Sequence, residues 1–251
     1  CVGGDPRRTA ILDNFCWGNC EDPQTMGALV RACQACYDAA MAHEVPFISG
    51  KDSLNNEFAL DPADAKRLAS HMPLHNNRVR IPGTLLVSAI SVIDDASRCI
   101  TMDARPPANS VFWFVGLDAP MWREGDLAKA ARLHREVARL IHSGLVLAAH
   151  DVGEDGIAAA LAEMAFAGRC GVTLEAGRDL LAPVTSGYIL QCQSGSADDL
   201  KTIAPPSTGL SAFIVAHVAS GATLAWPSAP GGPLEVPVTA LDEAWRAPLR
   251  W

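Results

Sequence analysis

Gly50, Lys51, Asp52 and Ser53 follow the short apolar run Pro46-Phe47-Ile48-Ser49, and after Leu54 come Asn55, Asn56 and Glu57. Glycine lets a phosphate reach the backbone without meeting a Cβ. Lysine adds a point charge, serine a hydroxyl, and aspartate a hard oxygen suited to magnesium. The order predicts a buried strand, Phe47–Ser49, whose C-terminal end opens onto a polar, anion-handling loop. A P-loop does not fit: its first glycine would fall on Val45, and Asp52 stands where Ser or Thr is needed. An ordinary exit from a strand would show a similar order, so other segments must decide.

A second cluster, His150-Asp151-Val152-Gly153-Glu154-Asp155-Gly156, lies between the apolar run Leu145–Ala149 and a helix carrying Leu161, Met164 and Phe166. Carboxylates at a strand end can hold a magnesium ion that neutralises nucleotide phosphates. Asp151, nearest the strand, is the metal candidate. Glu154 and Asp155 read as a cap and as complements to the helix dipole. His150 reads as a hydrogen-bonded structural residue.

Eight cysteines include Cys16 and Cys20, four apart, and Cys33 and Cys36, three apart. Two such pairs can make a zinc site in principle. Cys33 and Cys36 fall in a helical segment rich in Ala and Leu, where free, buried thiols are the expectation. No signal-peptide pattern opens the chain, and a secreted disulfide framework does not suit a domain of this size.

The elements that must carry these residues follow from periodicity. A strand is predicted over residues 9–15. A helix opens at Glu21-Asp22-Pro23 and runs to His43, with Met26, Leu29, Val30, Cys33, Cys36, Tyr37 and Ala40 at helical spacing. Residues 59–78 read as an irregular excursion, and Thr84–Ile93 as a strand. Asp103-Ala-Arg-Pro-Pro-Ala-Asn109 breaks all periodicity and sets the expected domain boundary between 105 and 106. Beyond it come a strand at Val111–Val115, a helix over 125–143 with Leu127, Ala131, Leu133, Val137, Leu140 and Ile141 inward, and a helix from Gly156 to Phe166. Strands are expected near Val172, Tyr188–Gln191 and Phe213–Val218. The mixture predicts an α+β protein of layered α/β domains rather than a strictly alternating parallel sheet.

At 251 residues and 49% hydrophobic, the chain can bury one large or two medium cores. Its formal charge of −8 argues against nucleic acid as a partner. No apolar run is long enough for a membrane helix, so a cytoplasmic setting is expected.

Taken together, these segments resemble the second half of the phosphoribosylformylglycinamidine synthases, a family within the aminoimidazole ribonucleotide synthetase superfamily. The likeness rests on Gly3-Gly4-Asp5-Pro6, Ile11-Leu12-Asp13-Asn14-Phe15-Cys16-Trp17-Gly18-Asn19, Pro46 through Glu57, His150-Asp151 running into Gly156, Ala162-Glu163-Met164-Ala165-Phe166-Ala167-Gly168, and Leu241-Asp242-Glu243-Ala244-Trp245-Arg246. The resemblance implies that residues 1–105 are the later part of a barrel-forming N-terminal domain and 106–251 a C-terminal α/β/α-layered domain. It places the catalytic histidine in a first half that this chain lacks, so no catalytic residue is expected here.

The resemblance implies ATP contacts from Asp13 and Gly50, with Lys51 beside them, and a contact from Ser53 to a ribonucleotide substrate bearing a phosphate. Many relatives carry a magnesium-ligating asparagine where Lys51 stands. Charged lysine cannot ligate the ion, which leaves Lys51 to a phosphate and Asp52 to the cation. Asp151 matches a magnesium position of an auxiliary nucleotide site, although Gly153 replaces the serine that accompanies it. The stretch Leu181–Tyr188 lacks the Ser-Glu-Ser-Gln chemistry of the substrate-binding first half, as expected of a supporting half.

The implied reaction is an ATP- and glutamine-dependent carbon–nitrogen ligation. It turns formylglycinamide ribonucleotide into its amidine in purine biosynthesis, with ATP and Mg²⁺ as cofactors and a glutaminase domain or subunit as partner. Two other readings use the same residues: a non-catalytic nucleotide-holding half, and another ATP-dependent superfamily member such as a hydrogenase-maturation protein or a selenophosphate or thiamin-phosphate kinase. A third is an interaction module built on residues 59–78.

Overall fold

A computed structural model of the chain describes residues 1–106, 109–117, 125–196, 200, 202 and 208–250. Pro107 and Ala108, within the aperiodic stretch, and Lys201 lie outside the described residues. Two compact units form: Arg7–Val92, and Ile93–Trp251 together with Cys1–Pro6. They part before the 105/106 boundary expected from the prolines. The reason is local: the Ala149 N–H donates to Thr101 O (3.1 Å) and the Ala104 N–H to Met164 O (3.0 Å). Ile100 and Ala104 are accordingly buried in the cores of the larger unit.

The smaller unit runs β1 (Thr9–Cys16), α1 (Pro23–His43), β2 (Phe47–Ser53), β3 (Glu57–Ala59), α2 (Pro62–Leu68), β4 (Arg78–Arg80) and β5 (Thr84–Ser91). Its sheet has the order β2-β1-β5, with β1 parallel to β2 and antiparallel to β5. Helix α1 starts where the residue chemistry predicts. Asp22 is the N-cap, its carboxylate accepting the Thr25 N–H at 3.2 Å, and Pro23 fills the first turn.

Three expectations fail here. The Gly50–Ser53 segment is strand, not loop: Asp13 pairs with Gly50, Asn14 with Lys51, Phe15 with Asp52 and Cys16 with Ser53. A parallel neighbour satisfies backbone groups whatever the side chains are, and so keeps polar residues in the sheet. Strand β2 is also not buried: its residues are exposed except for half-buried Ser53. Residues 59–78, expected to be irregular, contain α2, which Asp61 caps by accepting the Ala63 and Asp64 N–H groups, and are framed by the antiparallel β3–β4 pair.

The larger unit runs β6 (Ser110–Leu117), α3 (Asp126–His142), β7 (Val146–Val152), α4 (Gly156–Gly168), β8 (Gly171–Leu174), β9 (Ser186–Gln193), β10 (Ser211–Ala219), β11 (Thr223–Trp226), β12 (Leu234–Pro237) and α5 (Val238–Arg246). Among the described residues its sheet has the order β12-β11-β8-β10-β6-β9-β7. Strand β6 explains the layering. It is buried at every position, and Phe112 and Phe114 join one core while Val111, Trp113, Val115 and Leu117 join the other. A continuous apolar run is what a strand covered on both faces requires. Helix α4 with Leu161 and Met164, backed by Val238 and Leu241 of α5, covers one face. Helix α3 covers the other through Leu133, Val137, Leu140 and Ile141. Each such side chain removed from water contributes roughly 1.5–3 kcal/mol. Leu127, expected inward on α3, is only partly buried, while Asp126 is buried and pairs with Lys129 at 2.9 Å.

Fully buried Gln191 joins this sheet to the segment before it. Its Oε1 accepts the Arg105 N–H (2.8 Å), and its Nε2 donates to Arg105 O and Ser110 Oγ. Among the described residues no helix is long and apolar enough to cross a membrane.

Candidate functional site

Side chains alternate across a strand, and the β1–β2 register therefore sorts the predicted site residues onto two faces. Asp13, Gly50 and Asp52 share one face. Lys51 and Ser53 share the other, where the Lys51 ammonium donates to Ser53 Oγ. The structure thus forms two pairs, Asp13 with Gly50 and Lys51 with Ser53, rather than a single cluster. On the Lys51 face Leu86 and Ile90 of β5 are 59% and 61% exposed, so the anion-handling pair stands among open apolar side chains.

The Asp13 face looks toward α1. Between them lies a cavity of about 310 Å³ lined by Asp13, Phe15, Cys33, Cys36, Tyr37 and Phe47, among others. A second cavity of about 320 Å³ shares Cys36, Ala40 and Phe47 and continues past Ile11 and Val87. The cause is in the helix sequence. Toward the sheet it presents the small Cys36, Ala39 and Ala40, which leave open space between the strands and the larger Tyr37, Met41 and His43. The result is an apolar slot with one carboxylate at its end. That carboxylate rests on Gly50: a Cβ there would lie 2.3 Å from Asp13 Oδ1. Tyr37 and Phe47 are functional candidates that helical and strand periodicity disguised as ordinary core. The signal that could have revealed them was the set of small residues on α1, beside Tyr37 and across from Phe47.

A clasp that the sequence did not disclose holds the end of β1. Arg80 donates from Nε to Glu57 Oε1 (2.6 Å) and from Nη1 to Asp22 Oδ2 and Thr25 Oγ1 (both 3.0 Å). Glu57 also accepts the Asn19 N–H at 3.0 Å, and buried Trp17 donates its indole N–H to Thr25 O. Glu57, read as the tail of an anion-binding motif, is therefore structural.

These bonds hold both acids below their ordinary ranges. The Asn19 N–H and then Arg80 lower Glu57; the Thr25 hydroxyl and N–H and then Arg80 lower Asp22. An acid whose folded pKa is depressed contributes stability above its unfolded pKa and loses it as pH falls. Acid unfolding of the smaller unit, followed by circular dichroism from pH 6 to pH 2 (roughly the range over which carboxylates titrate), is expected to begin below the unfolded value of 4.5 for Glu57. Glu57→Gln should reduce stability at pH 6 and flatten the acid dependence; an unchanged acid profile would exclude the clasp as its source.

Asp151 lies on β7, not in a loop, paired with Tyr188 of β9. Its side chain is 81% exposed. The Tyr188 hydroxyl meets His134 Nδ1 at 2.7 Å, and burial, then Asp151, pushes its pKa up to about 12. His150 Nε2 meets Glu163 Oε2 at 2.9 Å, a structural contact between β7 and α4. Asp155 occupies the N-cap of α4 but makes no side-chain cap bond, against expectation. The cysteines are free thiols, as expected, but not buried in α1: Cys33 is exposed and Cys36 half-buried, because the slot leaves them uncovered. Among the described residues no group of three His, Cys, Asp or Glu side chains could hold a metal ion.

A family model described as AIR synthase related protein, C-terminal domain, matches residues 110–198. The PurL subunit of phosphoribosylformylglycinamidine synthase from Rhodopseudomonas palustris (strain BisA53) is 30% identical over 276 residues, covering 97% of this chain and 33% of that protein. The PurL subunit from Acidiphilium cryptum is 31% identical over 191 residues, covering 69% and 24%. The chain thus spans a third or less of these relatives' length. Among solved structures, T. maritima PurL complexed with FGAR aligns with a TM-score of 0.64 at 16% identity, over 96% of this chain and 40% of that one. E. coli HypE, a hydrogenase maturation protein, aligns equally well at 0.64 and 11% identity, over 94% and 75%. At such identities the structures share the fold alone.

Proposed function

The chain belongs to the AIR synthase superfamily as a partial relative of phosphoribosylformylglycinamidine synthase, and from that premise we propose that it supplies nucleotide and substrate contacts to that enzyme's reaction. In this reading the parent protein converts formylglycinamide ribonucleotide to its amidine in the cytoplasm, using ATP, and glutamine as the amide donor. An amide oxygen leaves poorly and a phosphate leaves well, so ATP supplies the activation. The catalytic groups come from the missing first half, and ammonia from a glutaminase domain or subunit. The open face bearing Lys51, Ser53, Leu86 and Ile90 is the surface that would meet that first half.

One observation carries the nucleotide part. The Asp13 carboxylate, seated on Gly50 at the end of an apolar slot, suits a flat base with an exocyclic amine: the slot takes the ring and Asp13 accepts the N–H. Lys51 and Ser53, on the other face, take the anionic duty as a pair, an ammonium and a hydroxyl directed at one phosphate. This keeps Lys51 with a phosphate, of substrate or nucleotide, on the face away from the base. Magnesium would be held chiefly by nucleotide phosphates, with Asp52, on the Asp13 face, as the nearest candidate acid in the strand.

Calorimetry with Mg-ADP tests the reading. The chain is expected to bind one equivalent, and Asp13→Ala to weaken binding roughly 10- to 100-fold, the cost of one lost hydrogen bond to a charged group. With ATP, glutamine and formylglycinamide ribonucleotide, the chain alone is expected to form no amidine. Unchanged ADP affinity in Asp13→Ala, or sustained turnover by the chain, would defeat it.

A further inference from the structure

We propose that Cys33 and Cys36 form a two-sulfur site for a thiophilic centre of the trivalent organoarsenical class, at the mouth of the Asp13 slot. The pair lies one turn apart on α1, and both residues line the same 310 Å³ cavity. Both are free, Cys33 is exposed, and Cys36 is half-buried behind it. The closeness has an electrostatic consequence: after burial, Cys33 is the next cause raising the Cys36 thiol, followed by Asp13.

Geometry selects the ligand. Helix neighbours three apart have Cβ atoms about 5–6 Å apart, whereas a disulfide needs about 3.5–4.5 Å. A direct S–S bond would have to unwind a turn of α1. A single bridging atom spans the gap without doing so. Zinc takes about four ligands, and among the described residues no third His, Cys, Asp or Glu groups with the pair. What remains is a soft centre satisfied by two sulfur donors, in line with the preference of thiolates for soft partners. The balance is simple: an organoarsenic(III) oxide and two thiols give a cyclic dithioarsenite, with two S–H bonds broken, two As–S bonds formed, and the oxygen leaving with both protons as water. Arsenic does not change oxidation state.

Capture would also obstruct the slot, a consequence that rests on the nucleotide reading above. The test uses the 251-residue chain and phenylarsine oxide, followed by intact-mass spectrometry. One adduct per chain, formed with loss of one water, is expected. It should be absent in Cys33→Ser and in Cys36→Ser, retained in Cys20→Ser, and removed by 2,3-dimercaptopropanol but not by excess 2-mercaptoethanol. An adduct that survives in either single variant, or that the monothiol removes, would overturn the proposal. Mg-ADP should slow adduct formation. If the adduct forms with this dithiol signature but ADP gives no protection, the nucleotide reading falls and the two-sulfur site stands.

Discussion

Gly50→Ala is expected to weaken Mg-ADP binding roughly 10- to 100-fold while leaving the chain folded. The new Cβ would lie 2.3 Å from Asp13 Oδ1 and 2.9 Å from its Cγ. Both strands are pinned by the parallel β1–β2 ladder, so the backbone cannot easily yield. The carboxylate can: it is the mobile end of a side chain, and rotation out of the slot costs about 1 kcal/mol, the size of an off-rotamer penalty. Stability therefore drops little while the base loses its acceptor. The double variant Gly50→Ala/Asp13→Gly makes this separable. It should recover the small loss in stability, because the clash is gone, and should bind ADP as poorly as Asp13→Ala. If Gly50→Ala alone binds ADP like the unaltered chain, Asp13 is not the group that holds the base.

Gly168→Ala is expected to be the most damaging single change in the larger unit, costing about 3 kcal/mol or more. Here nothing flexible is in the way. A Cβ at Gly168 would lie 2.0 Å from Ala104 O, 2.5 Å from its N and 2.8 Å from its C, all backbone. The Ala104 N–H is already committed to Met164 O at 3.0 Å, so the strap before β6 is fixed against the last turns of α4 by a hydrogen bond and by the missing side chain together. Ala104 is 2% exposed and packs with the core under α4. Either α4 or the strap must move away, exposing that core. Urea unfolding should show a large fall in midpoint for Gly168→Ala. Gly153→Ala, whose Cβ would meet nothing within 4 Å, should leave the midpoint near that of the unaltered chain. Equal midpoints for the two variants would show that the strap contributes little.

Much of the architecture is legible in residue order because local rules decide it. Asp22-Pro23 starts α1 as a cap and a first-turn proline do anywhere, and the unbroken run Val111–Leu117 announces a strand with two covered faces. The elements that were missed are short or depend on partners. Strands β11 and β12 have four residues each, β12 reaching the sheet through β11 and β11 through β8, and α5 packs mainly on α4. Strands β3 and β4 have three residues apiece, too few for periodicity to register.

Residue order by itself determined which chemistry the chain carries: a glycine, a lysine, a serine and two groups of acids in the company of nucleotide-handling segments. Tertiary structure alone decided how that chemistry is divided. Pairing with β1 drew Gly50–Ser53 into a strand, and the twofold alternation of a strand then sent Asp13 and Gly50 to one face and Lys51 and Ser53 to the other. The small residues of α1 leave a slot only because that helix lies over this face of the sheet. Likewise Arg80 gathers Asp22 and Glu57 from far along the chain. Such contacts join residues with no shared local pattern, so they exist only once the strands have met.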